Sequence, residues 1–155
     1  MSSAVNVEIN QATFRSVVGH FPTGVVVVSC QNESGTHAIT LQSFQSLSLE
    51  PALISISISK SSKSWPPIKN HGSFSISFLE QSHSQVALQI SRKDGGDKFE
   101  NVETELSPNL NHPIIKSGTA WVECAIENTF DAGDHEIVVG RVVDLDLLEL
   151  SLIHI

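Results

Sequence analysis

The segment Ser43–Leu49 reads S-F-Q-S-L-S-L, and after two further residues the segment Ala52–Ser59 reads A-L-I-S-I-S-I-S. From Ile54 to Ser59 the second segment alternates strictly between isoleucine and serine, which is the pattern of a strand with one buried face. We therefore predict a strand over residues 52–59. Its inward side chains are expected to be Ile54, Ile56 and Ile58.

The serines of the first segment have two interpretations. If this segment is extended, Phe44, Ser46 and Ser48 lie on one face of it. A row of hydroxyls with one aromatic ring, beside a strand edge, has the groups to hold a flat ligand with polar substituents. A solvated edge strand gives the same pattern, because edge strands are commonly polar. The spacing alone leaves both interpretations open.

The rest of the chain predicts a mainly β protein with a few short helices. Asn10 is a candidate N-cap for a first helix, and a capping box opens a later one. The predicted helices start at residue 11 and span 64–72 and 82–90, and the predicted strands span 25–28, 37–43, 73–79, 120–129 and 135–150, the last with Gly140 as a bend or bulge. Residues 101–116 are expected to be irregular. The apolar residues of the first helix that are expected to face the core are Phe14, Val17, Val18 and Phe21.

This order of elements favours a small, mainly antiparallel barrel with helices at its ends. It lacks the regular strand–helix alternation of a Rossmann fold, and it contains neither G-x-G-x-x-G nor a P-loop. With 155 residues, the chain is expected to form one domain over residues 1–155.

The composition argues against two classes of partner. The net charge is −8, with only nine Lys and Arg residues, whereas nucleic acids and anionic membranes require a basic face. No segment reaches the length of a membrane span, and the N-terminus has no signal peptide pattern. Cys30 and Cys124 stand in apolar runs without a metal-type spacing, so buried free thiols and a cytoplasmic location are expected.

Two features are candidates for chemistry. His135 follows Asp134 after a glycine turn, where it either serves a ligand at the barrel mouth or faces water. Ser64 is a candidate cap for the 64–72 helix, and the helix start beside Lys60 and Lys63 would attract an anion. The seven histidines show neither HxxxH nor HxH spacing, so no zinc site is expected.

Five motifs in order along the chain resemble the flavin reductase-like family, the small reductase partners of two-component monooxygenases, which have the FMN-binding split-barrel fold. The motifs cover about 130 residues, and together they are far more specific than any one alone. They are Phe14-Arg15 with Phe21–Val25, Thr40–Leu49, Ser62–Ile68, Asp97–Phe99 and Gly133–Val142.

The resemblance implies an antiparallel, Greek-key split barrel that forms a homodimer. It implies hydride transfer from NADH or NADPH to FMN or FAD, with reduced flavin passing to a partner monooxygenase. Two alternatives remain open. One is a split-barrel enzyme that uses a tightly bound flavin on its own organic substrate, and the other is a non-catalytic flavin-binding or electron-carrying module.

The resemblance also implies roles for particular residues. His135 would lie beside the nicotinamide or the flavin ring. The residues implied to hold the ring and the ribityl chain are Pro22, Thr23, Gly24, Thr40, Gln42, Ser43, Phe44, Ser46 and Ser48. The residues implied to lie near the phosphate are Ser57, Ser59, Ser62 and Ser64, and Phe99 completes the predicted cofactor-binding set.

Three departures from the family pattern stand out. Gln42 replaces the usual asparagine, which lengthens a donor near the ring or the ribityl chain. Arg141 replaces the usual acidic residue after Gly140, which is expected to alter the dimer or the nucleotide site. The segment Ser151–Ile155 resembles only the start of the family's closing motif, so the final strand is expected to be incomplete.

Overall fold

A computed structural model describes residues 8–92 and 97–148 of the chain. Three helices are present in this part: α1 (Gln11–Val18), α2 (Trp65–His71) and α3 (Ser84–Ser91), the last preceded by a 3₁₀ turn at Gln81–His83. The strands are β1 (Val25–Asn32), β2 (Gly35–Leu41), β3 (Gln45–Leu49), β4 (Ala52–Ser59), β5 (Ser73–Leu79), β6 (Thr104–Leu106), β7 (Pro113–Ile115), β8 (Ala120–Ala132) and β9 (His135–Leu147).

Seven strands form one antiparallel sheet in the order β2-β1-β5-β8-β9-β4-β3. The edge strands β2 and β3 are consecutive in the chain, and only residues 42–44 connect them. A flat sheet of this size would hold its edges about 29 Å apart, whereas four Cα steps reach at most about 15 Å. The sheet must therefore curl until its two edges meet, and the predicted split barrel is confirmed.

The hydroxyl of Ser43 ties the β2–β3 connection to β4. Its Oγ accepts the Ser57 N–H at 2.9 Å and donates to the Ser57 carbonyl oxygen at 3.0 Å. In the β3–β4 register, Gln45 lies opposite Ser55, so residue 43 would come opposite Ser57. The Ser43 side chain thus takes the place of the backbone hydrogen bonds between β3 and β4 at the position where the two backbones are no longer paired.

The interior of the barrel holds the main core. The isoleucines of β4 are buried as predicted, and they pack with apolar residues of β1, β5, β8 and α2. Gly140 lies between Cys124 and Ile54, where an added Cβ would come within 3.2 Å and 3.0 Å of their side chains. This glycine allows the close packing, and β9 continues through it. The register of β8 with β9 shifts directly beside Gly140, between Ile126 and Asn128, and again between Glu123 and Cys124.

The apolar residues predicted to anchor α1 in the core are exposed. Phe14 is 56% exposed, Val17 is 65% exposed, and α1 contains no buried residue. The helix starts as predicted, since Asn10 Oδ1 accepts the N–H groups of Ala12 and Thr13 at 2.8 and 3.1 Å. The helical pattern was therefore correct, but the expectation that it faces this chain's own core was wrong.

Two further expectations need correction. Residues 101–116 are not wholly irregular, because β6 and β7 form a separate two-stranded sheet. The capping box at Ser82 is not formed, because α3 starts two residues later with His83 at its N-cap position. The His83 Nδ1 instead accepts the N–H of Glu80 at 3.1 Å.

A buried carboxylate organises the loop between β6 and β7. Glu123 is fully buried on β8, and its oxygens accept the N–H groups of Asn109 and Leu110 at 3.1 and 2.9 Å. Burial alone would raise the pKa of Glu123, but hydrogen bonds from the Ser107–Leu110 segment outweigh it and lower that pKa. The loop is thereby fixed against the sheet.

The structure also bears on the cysteines and on the expectation that no segment spans a membrane. Both Cys30 and Cys124 are free and buried, as predicted. In the part of the chain that the structure describes, no helix has the length and apolar character to cross a membrane.

Candidate active site

A cleft of about 990 Å³ lies at the split, where the connection between β2 and β3 crosses the barrel edge. This volume is at the upper end of the range of about 300–1,000 Å³ that ligand pockets span. The lining residues are Arg15, Val18, Gly19, Phe21, Pro22, Thr23, Val25, Thr40, Leu41, Gln42, Ser43, Ser57, Ala87, Leu88, Ser91 and His135.

The cleft brings together residues that are far apart in the sequence. A second cavity of about 460 Å³ shares the Phe21–Thr23 wall and adds Gly24 and Phe44. The predicted site residues that line one or both cavities are Pro22, Thr23, Gly24, Thr40, Gln42, Ser43, Phe44, Ser57 and His135. They are brought together by the closure of the barrel, which places the start of β1, the end of β2, β4 and the start of β9 around one opening.

Two of these hydroxyls also serve the fold. Ser43 Oγ forms the two hydrogen bonds with the Ser57 backbone that are described above. Thr40 Oγ1 donates to the Ala87 carbonyl oxygen of α3 at 2.9 Å. By contrast, the side chains of Thr23, Gln42 and Ser57 form no hydrogen bond with another described residue. These three groups are therefore available to a ligand.

His135 is held by its neighbour. Its Nδ1 lies 2.8 Å from Asp134 Oδ1, and since a carboxylate only accepts, Nδ1 carries the proton. The hydrogen bond from His135 lowers the pKa of Asp134. His135 is 45% exposed along its side chain and lines the cleft, so its other ring nitrogen, Nε2, is open to a ligand.

Six predicted site residues lie outside both cavities: Ser46, Ser48, Ser59, Ser62, Ser64 and Phe99. Ser46 and Ser48 do not share a regular face, because a bulge separates them in the β3–β4 pairing. Phe44 turns inward, where its ring packs edge-on against Phe78 with centroids 4.9 Å apart. Phe99 packs against a second apolar cluster around Val27 and Ile90.

The predicted phosphate segment is largely occupied by protein contacts. Lys98 Nζ donates to Ser64 Oγ at 3.0 Å, and Ser59 and Ser61 share a hydroxyl hydrogen bond of 2.8 Å. Lys60 forms an ion pair with Asp131 at 2.9 Å. α2 does begin after Ser64 and ends at Gly72, whose φ of 92° suits glycine, but Ser64 makes no side-chain capping bond.

The cleft also contains residues that the sequence did not single out as ligand contacts. Arg15 from α1 and three residues from α3, namely Ala87, Leu88 and Ser91, line it. Arg15 belongs to the Phe14-Arg15 motif, and this motif was the signal in the sequence that could have identified Arg15 as a ligand contact. The residues of α3 carry no such signal, because their position depends on how α3 lies across β2.

A second group of polar side chains lies at the other end of β1. Cys30, His71 and His112 have potential ligand atoms within 4.8 Å of one another. However, His112 Nδ1 accepts the Gln31 N–H at 3.1 Å, and its Nε2 lies 2.7 Å from Ser73 Oγ. Both ring nitrogens of His112 thus have hydrogen-bond partners within the protein. We therefore interpret His112 as a structural residue and not as a metal ligand.

The cleft has the shape and the donors for a flat heteroaromatic ligand with polar substituents. Pro22, Val25 and Leu41 supply apolar contact area, and the free polar groups of Thr23, Gln42 and Ser57 supply hydrogen bonds. Together with the split barrel, this defines a small β protein with one cofactor-sized cleft at the barrel edge.

Comparison with known proteins identifies the class. The family model described as the flavin reductase like domain matches residues 18–153. A flavin reductase of Pseudomonas putida is 36% identical over 140 residues, which cover 90% of this chain and 81% of that protein. The reductase subunit HsaB of a flavin-dependent monooxygenase from Mycobacterium tuberculosis is 34% identical over 141 residues, which cover 91% of this chain and 74% of that protein.

A solved structure agrees with the sequence relatives. The NADH:FAD oxidoreductase SgcE6 of Streptomyces globisporus, in complex with NAD and FAD fragments, superimposes with a TM-score of 0.85 at 30% identity. The match covers 91% of this chain and 84% of that chain. This chain belongs to the flavin reductase-like domain family, so the predicted family and fold are confirmed.

Proposed function

We propose that the protein is an NAD(P)H:flavin oxidoreductase that transfers a hydride from NADH or NADPH to FMN or FAD. The observation that carries this proposal is the convergence of the predicted residues of three separate motifs on one cleft. The turn before β1, the β2–β3 connection and the start of β9 all meet there. Family membership supports the same reaction.

The bound flavin supplies the electron-pair acceptor, so the protein's task is to bind, orient and shield the reacting rings. Pro22, Val25 and Leu41 provide the apolar wall for a ring system. Gln42 and Ser57 donate hydrogen bonds to its polar edge, and Thr23 closes the turn beside it. Ser62, Ser64 and Phe99 lie outside the cleft, where Ser64 accepts a hydrogen bond from Lys98 and Phe99 packs in the second apolar cluster.

His135 orients the nicotinamide in this proposal. Since Nδ1 donates to Asp134, the Nε2 of the neutral ring accepts a hydrogen bond, for example from the amide of a carboxamide group. Protonation of Nε2 would turn the same atom into a donor. Fixing the ring through Asp134 limits the rotation of His135 and places that atom at the rim of the cleft.

Reduced flavin then passes to a flavin-dependent monooxygenase. The proposal is supported by the relative from Mycobacterium tuberculosis, which is the reductase subunit of such an enzyme. The cleft is open on one side, which suits a flavin that leaves after reduction. The two buried free thiols suit action in the reducing cytoplasm.

The working unit is proposed to be a homodimer of single-domain chains. Large apolar side chains of α1 and of the β8–β9 hairpin are exposed, including Phe14, Val17 and Phe130. A helix of eight residues has little stability of its own, so an apolar face of this kind needs a partner. A second copy of the chain would cover it.

The test is the loss of absorbance of NADH, and separately of NADPH, with and without added FMN or FAD. Rapid oxidation that requires added flavin is the expected result, and the four combinations also establish both specificities. If the protein binds flavin but does not oxidise either nucleotide, the reductase proposal is wrong, and a tightly bound flavin acting on another substrate becomes the better hypothesis.

A further inference from the structure

The charge of the cleft is opposite to that of the chain. The sequence has 17 Asp and Glu residues against nine Lys and Arg residues. Among the described residues that line the cleft none is acidic, and the only formal cation is Arg15. An anionic group inside the cleft would therefore meet one permanent positive charge and no lining carboxylate.

Three lysines of neighbouring elements are engaged elsewhere, whereas Lys63, which does not line the cleft, is exposed and forms no ion pair with a described residue. Lys60 is paired with Asp131 at 2.9 Å, and Lys69 is paired with Glu136 at 2.6 Å. Lys98 Nζ donates to the Ala38 carbonyl oxygen at 2.8 Å as well as to Ser64. Arg15, in contrast, forms neither an ion pair nor a side-chain hydrogen bond with any residue in the described ranges.

Arg15 is presented to the cleft by a helix whose start is fixed. Arg15, Val18 and Gly19 are spaced by three and four residues, so they share one side of α1, and all three line the cleft. The Asn10 cap sets where this helix begins. The adjacent wall, Phe21–Thr23, follows in sequence within the same cleft.

We propose that Arg15 binds a phosphate group of a nucleotide in the cleft. A guanidinium presents planar, paired donors that match phosphate oxygens, and it keeps its charge at any physiological pH. The inference rests on the proposed function, in which both FMN or FAD and the nicotinamide nucleotide carry phosphate esters. It differs from the expectation from the sequence, which placed the phosphate near Ser57, Ser59, Ser62 and Ser64; of these four, Ser57 lines the cleft.

The first experiment separates the phosphate from the ring. Flavin affinity is measured by quenching of flavin fluorescence, with FMN and with riboflavin, which lacks the phosphate. If the group is the flavin phosphate, Arg15→Gln weakens FMN binding by about 10- to 100-fold, the scale of charge-assisted hydrogen bonds, and leaves riboflavin binding unchanged. Lys116→Gln is the matched control, because it also removes one positive charge, from an exposed position after β7 that does not line the cleft.

The second arm tests the nicotinamide nucleotide. The KM for NADH is measured with saturating riboflavin as the acceptor. If the phosphate belongs to NADH, Arg15→Gln raises this KM by a similar factor, while FMN binding stays as in the parent protein. Arg15→Lys keeps the charge but not the paired donors, and it should fall between the parent and Arg15→Gln in whichever arm responds.

Two results would overturn the inference. Either Arg15→Gln changes neither FMN binding nor the KM for NADH, or it weakens riboflavin and FMN binding equally, which would mean a structural effect on the wall. A parent protein that binds FMN through Arg15 but oxidises neither NADH nor NADPH would overturn the proposed function and still support the role of Arg15.

Discussion

The hydrogen bond between His135 and Asp134 engages Nδ1 of the imidazole and leaves Nε2 as the ring nitrogen that is available to a ligand. The partner carboxylate is fully exposed, and the contact joins adjacent residues at the tip of the β8–β9 turn. Gly133 allows that turn, since its φ is 68°, a conformation that favours glycine. The residue therefore combines an accessible nitrogen with a defined orientation.

We expect His135→Ala to lower the rate of hydride transfer by about tenfold, the effect of losing one hydrogen bond of roughly 1.4 kcal/mol in the reacting complex. Flavin affinity should change little, because other cleft residues hold the ring. The rate is measured by rapid mixing of NADH with the flavin-loaded protein, and the affinity by fluorescence titration. Asp134→Asn should give a smaller loss of rate. An unaltered rate in His135→Ala would remove this residue from the site.

At the scale of single residues, the sequence predicted many of the residues that line the cleft, but it did not predict which of their hydroxyl groups are hydrogen-bonded within the protein. Ser43 and Ser57 were both expected at the ligand, yet Ser43 Oγ is used by the backbone of Ser57, 14 residues away. Ser64 is likewise used by Lys98, 34 residues away. Small polar side chains carry no sequence signal for such distant partners, so only the folded structure shows which hydroxyls remain free.

Among the elements, the β6–β7 segment depends most on buried polar groups. His112 connects three parts of the fold through Gln31, Ser73 and the N–H that it donates to Ser107 Oγ at 3.0 Å. Burial, followed by the nearby charge of His71, lowers the pKa of His112 from 6.5 to about 4, although Glu123 opposes the shift. The folded protein thus keeps this histidine neutral.

Acid should weaken the fold through this residue. Between pH 6.5 and about 4 the unfolded chain binds a proton at His112 that the folded chain does not. The free energy of unfolding should therefore fall as the pH is lowered through this window, by about 3 kcal/mol in total. Chemical denaturation at a series of pH values measures this.

The variants locate the effect. His112→Gln keeps an acceptor and a donor but does not titrate, so it should flatten the pH dependence in this window. His20→Gln, which changes an exposed histidine after α1, should retain the slope of the parent protein. An equal slope in the parent and in His112→Gln would assign the pH dependence to other groups.

The elements themselves were predicted unevenly, for physical reasons. β4 was found with its bounds because strict alternation requires one buried face. β6 and β7 were missed because strands of three residues are too short to show a period, and their pairing relies on the loop that Glu123 organises. α1 was found as a helix, but periodicity identifies an apolar face without identifying the surface that covers it.

The topology of the whole molecule explains why the cleft lies where it does. Consecutive strands at opposite edges force the sheet to close, and the three connecting residues become part of the opening. The antiparallel barrel could be predicted from the strand pattern, since the longer strands each have their own signal. The closure point could not be derived in this way, because it depends on the order of strands within the sheet.

At the scale of the assembly, we expect Val17→Asp to shift the protein from dimer to monomer. Burying an unpaired carboxylate in the proposed interface would destabilise the dimer by more free energy than the burial of the valine side chain contributes to it. Light scattering after size-exclusion chromatography measures the mass. Ala12→Asp is the control, because residue 12 lies about 140° around the helix from Val17 at 100° per residue. A parent protein that is monomeric at all concentrations would contradict the homodimer.

The exposed face of α1 has one more consequence. The helix forms a wall of the cleft, but none of its residues is buried within its own chain. If a neighbouring chain holds that wall in place, completeness of the cleft becomes a matter of mass action. Dilution should then lower the turnover per chain before any chain unfolds. Adding His135→Ala chains to a dilute sample should restore turnover, because these chains can still form the interface with the active chains.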